Sequence, residues 1–256
     1  MNPWDIKKGV AWGPGAIDRA WFGRGVLDGL AEELQRHYHA NSGRRIPAAL
    51  GCVPWFDNAT IGQLLADMQC CIIVDKPAPD EPFSETVQKL QAEGDGLPTN
   101  ALSALADLMP LTDGRPAIVG PSDKMSVMVG PVRLAGYGGH RRQGPLLHAK
   151  MIVLGFLWDD DEFFMGDVFV PESVWLGSAN WTNASSSGHL EFGTFSTDRA
   201  LVRGAYDFLA DLLSVSEPFD SKARRPTPDM APVEYDDEAF GNAARAMWGH
   251  LSEEPD

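Results

Sequence analysis

The stretch from Arg44 to Val74 constrains the fold more than any other part of this chain. Ile46, Leu50 and Val53 mark an apolar strand over residues 44–56. Asn58 is placed to cap a helix with apolar positions Ile61, Leu64, Leu65 and Met68, because its short side chain accepts a backbone N–H that the first turn leaves unmet. Residues 70–74 form a second short apolar run that stops at Asp75-Lys76-Pro77. Strand, helix and strand within about thirty residues make a βαβ unit, which implies parallel strands covered by helices. The chain is therefore read as α/β, with a mixed, largely parallel sheet flanked by helices on both faces, an αβα sandwich.

The flanking segments divide the chain into three. Residues 1–43 begin with Gly- and Trp-rich turns and continue into an amphipathic helix from Val26 to His39, with Val26, Leu27, Leu30, Ala31 and Leu34 on one face. They read as an N-terminal helical extension packed on the core. Residues 44–215 read as the main domain. It has helices over 85–92, 101–109 and 200–213, and strands over 118–119, 125–134, 147–157, 174–176 and 192–195. An acidic hairpin insertion spans 158–173. Residues 216–256 read as an acidic, proline-bearing arm that ends in a helix over 238–251.

Charge narrows the function classes. The 256 residues carry 21 Lys and Arg against 36 Asp and Glu, a formal net charge of −15. Such a chain repels phosphate backbones at long range, which argues against a basic nucleic-acid coat protein. The charge is unevenly spread. Residues 159–172 hold six acids and no base, and residues 217–256 hold ten acids and four bases, so the remainder carries only −3. Cys52, Cys70 and Cys71 lie among apolar neighbours and read as buried free thiols without zinc-ligand spacing. The first residues lack a signal-peptide pattern and no apolar run is long enough to span a bilayer, so a cytoplasmic protein without membrane association is expected.

The residues that carry chemistry are Leu147-His148-Ala149-Lys150-Met151, then Gly177-Ser178-Ala179-Asn180-Trp181-Thr182, then His189-Leu190-Glu191-Phe192. Residues two apart on a strand share a face, so His148 points with Lys150, and Ser178 with Asn180. A nucleophile or base beside an ammonium, a hydroxyl and an amide suits a tetrahedral anion such as phosphate. Glu191 is placed to hold an imidazole in one tautomer.

H-x-K, followed downstream by G-S-x-N and by a Glu eleven residues past the Asn, resembles the phospholipase D superfamily. The resemblance covers residues 147–193 in its motifs and is compatible with that family's catalytic domain from about residue 44. It implies that His148 attacks phosphorus to give a covalent phosphohistidine that water then hydrolyses. Lys150 and Asn180 would bind the non-bridging oxygens, Ser178 would support that grip, and Glu191 would orient His148. No metal and no cofactor are implied. The activity implied is phosphodiester hydrolysis, with nucleic acid as the expected substrate. The alternatives are a phospholipid hydrolase or transphosphatidylase and a catalytically silent binding module.

The leaving alkoxide needs a second histidine to protonate it. Only His148 lies in an H-x-K motif. His37-x-His39 reads as a solvated helix end, and His140 and His189 are weaker alternatives than a homodimer that pools two half-sites. Two departures from the family pattern stand out. Gly155 occupies the position where an Asp often follows the Lys, and the acidic insertion lengthens the path from His148 to Ser178. Arg133, Arg141 and Arg142, close before His148, make a locally basic approach. Arg141 and Arg142 are the candidate contacts for flanking phosphates, with Trp181 as a further substrate contact.

Overall fold

A computed structural model describes residues 6–40, 45–77, 81–122, 127–136, 145–158, 168–223 and 226–251. A nine-stranded sheet organises them. Its strands in chain order are β1 (Lys7–Trp12), β2 (Asp18–Gly23), β3 (Arg45–Val53), β4 (Gln69–Val74), β5 (Val132–Leu134), β6 (Met151–Trp158), β7 (Val168–Gly177), β8 (Glu191–Ser196) and β9 (Glu217–Pro218). They lie side by side in the order β1-β2-β8-β7-β6-β3-β4-β5-β9. The helices are α1 (Val26–His39), α2 (Ala59–Ala66), α3 (Glu85–Glu93), α4 (Asn183–Ser187), α5 (Arg199–Ser214) and α6 (Asp237–Leu251).

The βαβ reading holds: β3 and β4 pair in parallel, joined by α2, whose cap Asn58 accepts from the Ile61 N–H at 3.1 Å. The sheet as a whole is mixed, and the expectation of largely parallel pairing needs correction. Parallel pairing is confined to β3–β4–β5, and every other neighbour in the sheet is antiparallel. The physical reason lies in the connections. β6 and β7 form a hairpin and β1 and β2 another, and hairpin connections are too short for a crossover.

Helices cover both faces. Leu30 and Leu34 of α1, Ile61 and Leu65 of α2 and Leu90 of α3 pack with Ile72, Ile152, Leu154 and Trp175 on one face. Val202, Tyr206, Leu209 and Leu213 of α5 pack with Leu50, Ile73, Val153 and Val174 on the other. The three cysteines are free and buried, and burial pushes the Cys52 and Cys71 thiols up to about 12. The first 40 residues supply more than a helical extension, since β2 is hydrogen-bonded to β8 and so belongs to the main sheet. Likewise β9 joins the arm to that sheet, while Met230–Pro232 pairs with Leu108–Pro110 and Glu234–Tyr235 with Ile118–Val119.

The helix expected over residues 101–109 is not formed. Leu102, Leu105 and Leu108 donate in succession to the carbonyls of Thr99, Leu102 and Leu105. These are tight three-residue turns, which tertiary burial of Leu102 and Leu105 selects over helix propensity. The acidic hairpin has its expected base, with Trp158 opposite Val168, while its tip at 159–167 lies outside the described residues. His37 is not the solvated side chain expected from the helix end. Its Nε2–H donates to the Gly155 carbonyl at 2.8 Å, and its ring lies 4.5 Å from that of Phe156.

Close packing at Gly155 leaves no room for a side chain at the position where the resemblance leads one to expect Asp. The register between β6 and β7 shifts between Leu154 and Gly155, opposite Pro171. A Cβ on Gly155 would meet the Val170 carbonyl oxygen at 2.3 Å and the Phe169 ring at 2.9 Å. We expect Gly155→Asp to lower the unfolding free energy by about 2 kcal/mol or more, measured by urea denaturation.

Burial lowers the His37 pKa from its usual 6.5. The unfolded chain therefore binds this proton at higher pH than the folded one does. Stability is present in full above the unfolded value and is lost as pH falls toward the folded one. Denaturation midpoints should decline as pH falls below about 6.5, and His37→Gln should remove that part of the slope.

Candidate phosphate-handling site

The ladder register brings the motif segments to one end of the sheet. Met151 pairs with Cys52 on one side and with Leu176 on the other, and Gly177 pairs with Gly193 on β8. The starts of β6 and β8 thus lie beside the ends of β3 and β7. The Gly177 N–H donates to the Lys150 carbonyl at 3.1 Å, and the Ser178 N–H donates to the Phe192 carbonyl at 3.0 Å. The segment after Ser178 is pinned to the end of β3. The N–H groups of Asp57 and Asn58 both donate to the Trp181 carbonyl, and the Asn183 N–H donates to the Asp57 carboxylate at 2.7 Å.

Within this frame Ser178, Lys150 and Glu191 come together. The Ser178 hydroxyl donates to Glu191 Oε2 at 2.5 Å and accepts from the Phe192 N–H at 3.0 Å. That exchange fixes the hydroxyl rotor and one carboxylate oxygen. The other oxygen, Oε1, lies 3.5 Å from Nδ1 of the exposed His189. Lys150 is only 7% exposed, and its Nζ donates to the His148 carbonyl at 3.0 Å. Burial lowers its pKa, while the nearby Glu191 carboxylate acts in the opposite direction. Asn180 is half-buried, and its Oδ1 is a buried acceptor without a hydrogen-bond donor. An amide end left unmet in this way is costly unless a donor reaches it.

His148 lies differently from a strand residue. The strand begins at Met151, not Leu147, so the alternation assumed for His148 and Lys150 does not apply to them. His148 is exposed while Lys150 is buried. Glu191 is engaged by Ser178 and His189, and none of its contacts involves the His148 ring.

Several other sequence expectations change. Trp181 is wholly buried with its ring 5.5 Å from that of Phe56, so as folded it is a packing residue and presents no surface to a substrate. Arg133 is buried as well. Its guanidinium donates to the Ser216 hydroxyl at 2.7 Å and pairs with Asp229, so it is not a free cation at the site. Arg141, Arg142 and His140 fall outside the described residues.

One contributor escaped the sequence reading. Asp75, buried at the end of β4, accepts from the Leu147 N–H at 3.4 Å, one residue before His148. Gly136, at φ +88°, makes room for it, since a Cβ there would lie 2.3 Å from Asp75 Oδ1. An acid ending an apolar strand was the available signal, but nothing in the sequence tied it to Leu147.

No family profile and no curated protein sequence matches the chain. Among solved structures, it is similar to NucT from Helicobacter pylori at 12% identity and TM-score 0.46, over 84% of this chain and 100% of that one. It is similar to a phospholipase D family member, Nuc from Salmonella typhimurium, at 13% identity and TM-score 0.46, over 80% of this chain and 99% of that one. It also resembles polyphosphate kinase from Porphyromonas gingivalis at 11% identity and TM-score 0.43, over 76% of this chain and 25% of that one. Similarity of this degree says nothing about chemistry. No helix among the described residues is long and apolar enough to cross a membrane.

The electrostatic coupling of Lys150 to Glu191 can be read directly. The Lys150 ammonium should titrate below the usual 10.5 in carbon-13 NMR, and Glu191→Gln should lower it further by removing the carboxylate that opposes the effect of burial. An unchanged midpoint in the variant would contradict this geometry.

Proposed function

We propose that the chain is a phosphodiesterase of the phospholipase D kind, acting without a metal on nucleic-acid phosphodiester bonds. The observation that carries the reading is that Lys150, two residues past His148, meets Ser178 and Glu191, 28 and 41 residues further along the chain, at one end of the sheet. In this reading an imidazole nitrogen of His148 attacks phosphorus. The P–O bond to the leaving group breaks, and a phosphohistidine forms. Lys150 and Asn180 offset the negative charge gathered on the non-bridging oxygens. A second imidazole protonates the departing alkoxide. It then takes a proton from the water that cleaves the P–N bond and regenerates His148.

That second imidazole belongs, in this reading, to a partner subunit, so the active unit is a homodimer with a shared site. Arg141 and Arg142 are assigned to flanking phosphates. The ends of β6 support a focused cleft: about 23 Å of strand separates Met151, next to Lys150, from Trp158, the last described residue before the acidic run.

The test is hydrolysis in EDTA of single- and double-stranded DNA, RNA and phosphatidylcholine vesicles. The proposal expects nucleic-acid cleavage that His148→Ala reduces by about 1,000-fold or more. Turnover of the vesicles alone would replace the nuclease assignment with a lipid hydrolase. Turnover of nothing, including bis-p-nitrophenyl phosphate, would leave a silent binding module. Mixing wild-type with excess His148→Ala subunits tests the shared site, which expects activity to fall below the wild-type share, because each mixed dimer lacks one of its two imidazoles.

A further inference from the structure

Two apolar surfaces on this chain are left open. The first is the part of the sheet that α5 does not cover. Lys8 pairs with Phe22 and Phe22 with Phe192, while Val10 pairs with Ala20 and Ala20 with Thr194. One face of β1, β2 and β8 therefore presents Val10, Trp12, Phe22 and Phe192 together, each 42–47% exposed. The same face of the neighbouring strands β7, β6 and β3 is covered by α5, so the helical layer stops three strands short of the sheet edge. Strand β1 is exposed along its whole length at the sheet edge.

The second surface is α6. Phe240, Ala243, Ala244, Met247 and Trp248 fall at i, i+3, i+4, i+7 and i+8, the stripe by which a helix packs on a core. Here the stripe has no core beneath it. Met247 is 73% exposed and Trp248 71%. Of a fifteen-residue amphipathic helix, no residue from Asp237 to Trp248 is buried.

We propose that α6 of a second copy of this chain packs on the open face of β1, β2 and β8, and that the exchange is reciprocal. This rests on the homodimer of the proposed function and assigns its contact surface. The dimensions agree. Phe240 to Trp248 spans about 12 Å of helix, and Lys8 to Trp12 about 14 Å of strand. The charges agree as well. The helix enters with exposed Asp236, Asp237 and Glu238, and the open face carries exposed Lys8 at the start of β1. The chain's own α6 leaves both surfaces open, because Met230–Pro232 and Glu234–Tyr235 tie the arm to Leu108–Pro110 and Ile118–Val119, outside the main sheet. The helix begins two residues after the second tie. A twofold operation that delivers α6 to the partner also delivers the partner's α6 in return, so both faces close at once. Leu190 and Phe192 flank Glu191, which sets this contact beside the motif end of the sheet.

The test uses the full chain in sedimentation velocity and in disulfide trapping. The native thiols are buried, so introduced cysteines react alone. Trp12→Cys chains mixed with Trp248→Cys chains should form an interchain disulfide under mild oxidation, and neither variant by itself should. Trp248→Glu and, separately, Phe22→Ser should each weaken the dimer by at least about 30-fold. Circular dichroism should stay unchanged for Trp248→Glu, whose side chain is largely exposed, which separates lost contact from lost fold. The proposal is overturned by a monomeric wild type, by Trp12→Cys chains that link only to one another through their edge strands, or by a dimer indifferent to Trp248→Glu. In that last case His148-dependent hydrolysis would leave the proposed function standing. Conversely, a Trp248→Glu monomer of undiminished activity would keep the docking surface and remove the shared site.

Discussion

The central strand β6 is hydrogen-bonded on both sides and buried on both faces, and the rest of the fold depends on that arrangement. Its ladders with β3 and β7 run the full length from Met151 to Trp158. Ile152 and Leu154 face one helical layer while Val153 and Leu157 face the other. With side chains alternating across the sheet, a one-residue slip would exchange the two cores, so the register is tightly specified. That register determines what lies at each end. At the start of the strand, Lys150 is carried to the rim beside Ser178 and Glu191. At the other end, Trp158 launches the acidic hairpin.

The same constraint governs where charge is found. A net charge of −15 suggests a surface hostile to phosphate, yet Trp158 and Val168, which flank the acidic run in sequence, pair at the end of the sheet away from the motifs. Cations that look free in the sequence are largely committed elsewhere. Arg133 is held by Ser216 and Asp229, and Arg45 pairs with Glu172 while lying over Phe156. Lys150 is the described cation coupled to Glu191 at the motif end. Its partial burial makes the Glu191 carboxylate important to its protonation, and Ser178 fixes one oxygen of that carboxylate. Removing any one of the three changes the environment of the other two.

The local signals in the sequence translated well wherever structure depends on neighbours within a few residues. The Asn58 cap, the α1 face from Val26 to Leu34 and the β3–α2–β4 crossover are of this kind. What the sequence could not convey was pairing between distant strands. Periodicity is the same for a parallel and an antiparallel partner, so the sheet was read as more parallel than it is. It also gives no means to see that the start of β2 sits in the main sheet, or that Trp181 turns inward against Phe56. The motif residues were legible because their spacing is local. Asp75 was not, because its contact with Leu147 spans 72 residues. The strand alternation expected of His148 and Lys150 failed because regular pairing begins only at Met151.

The central claim is that His148 is a nucleophile toward phosphorus, and chemical trapping tests it most directly. The chain would be mixed with a phosphodiester substrate, quenched in alkali on the millisecond scale and digested for mass spectrometry. The account predicts an acid-labile, alkali-stable phosphoryl adduct on the peptide that contains His148, absent when His148 is replaced by Ala. Turnover with no adduct at His148, or with the adduct on another residue, would contradict it.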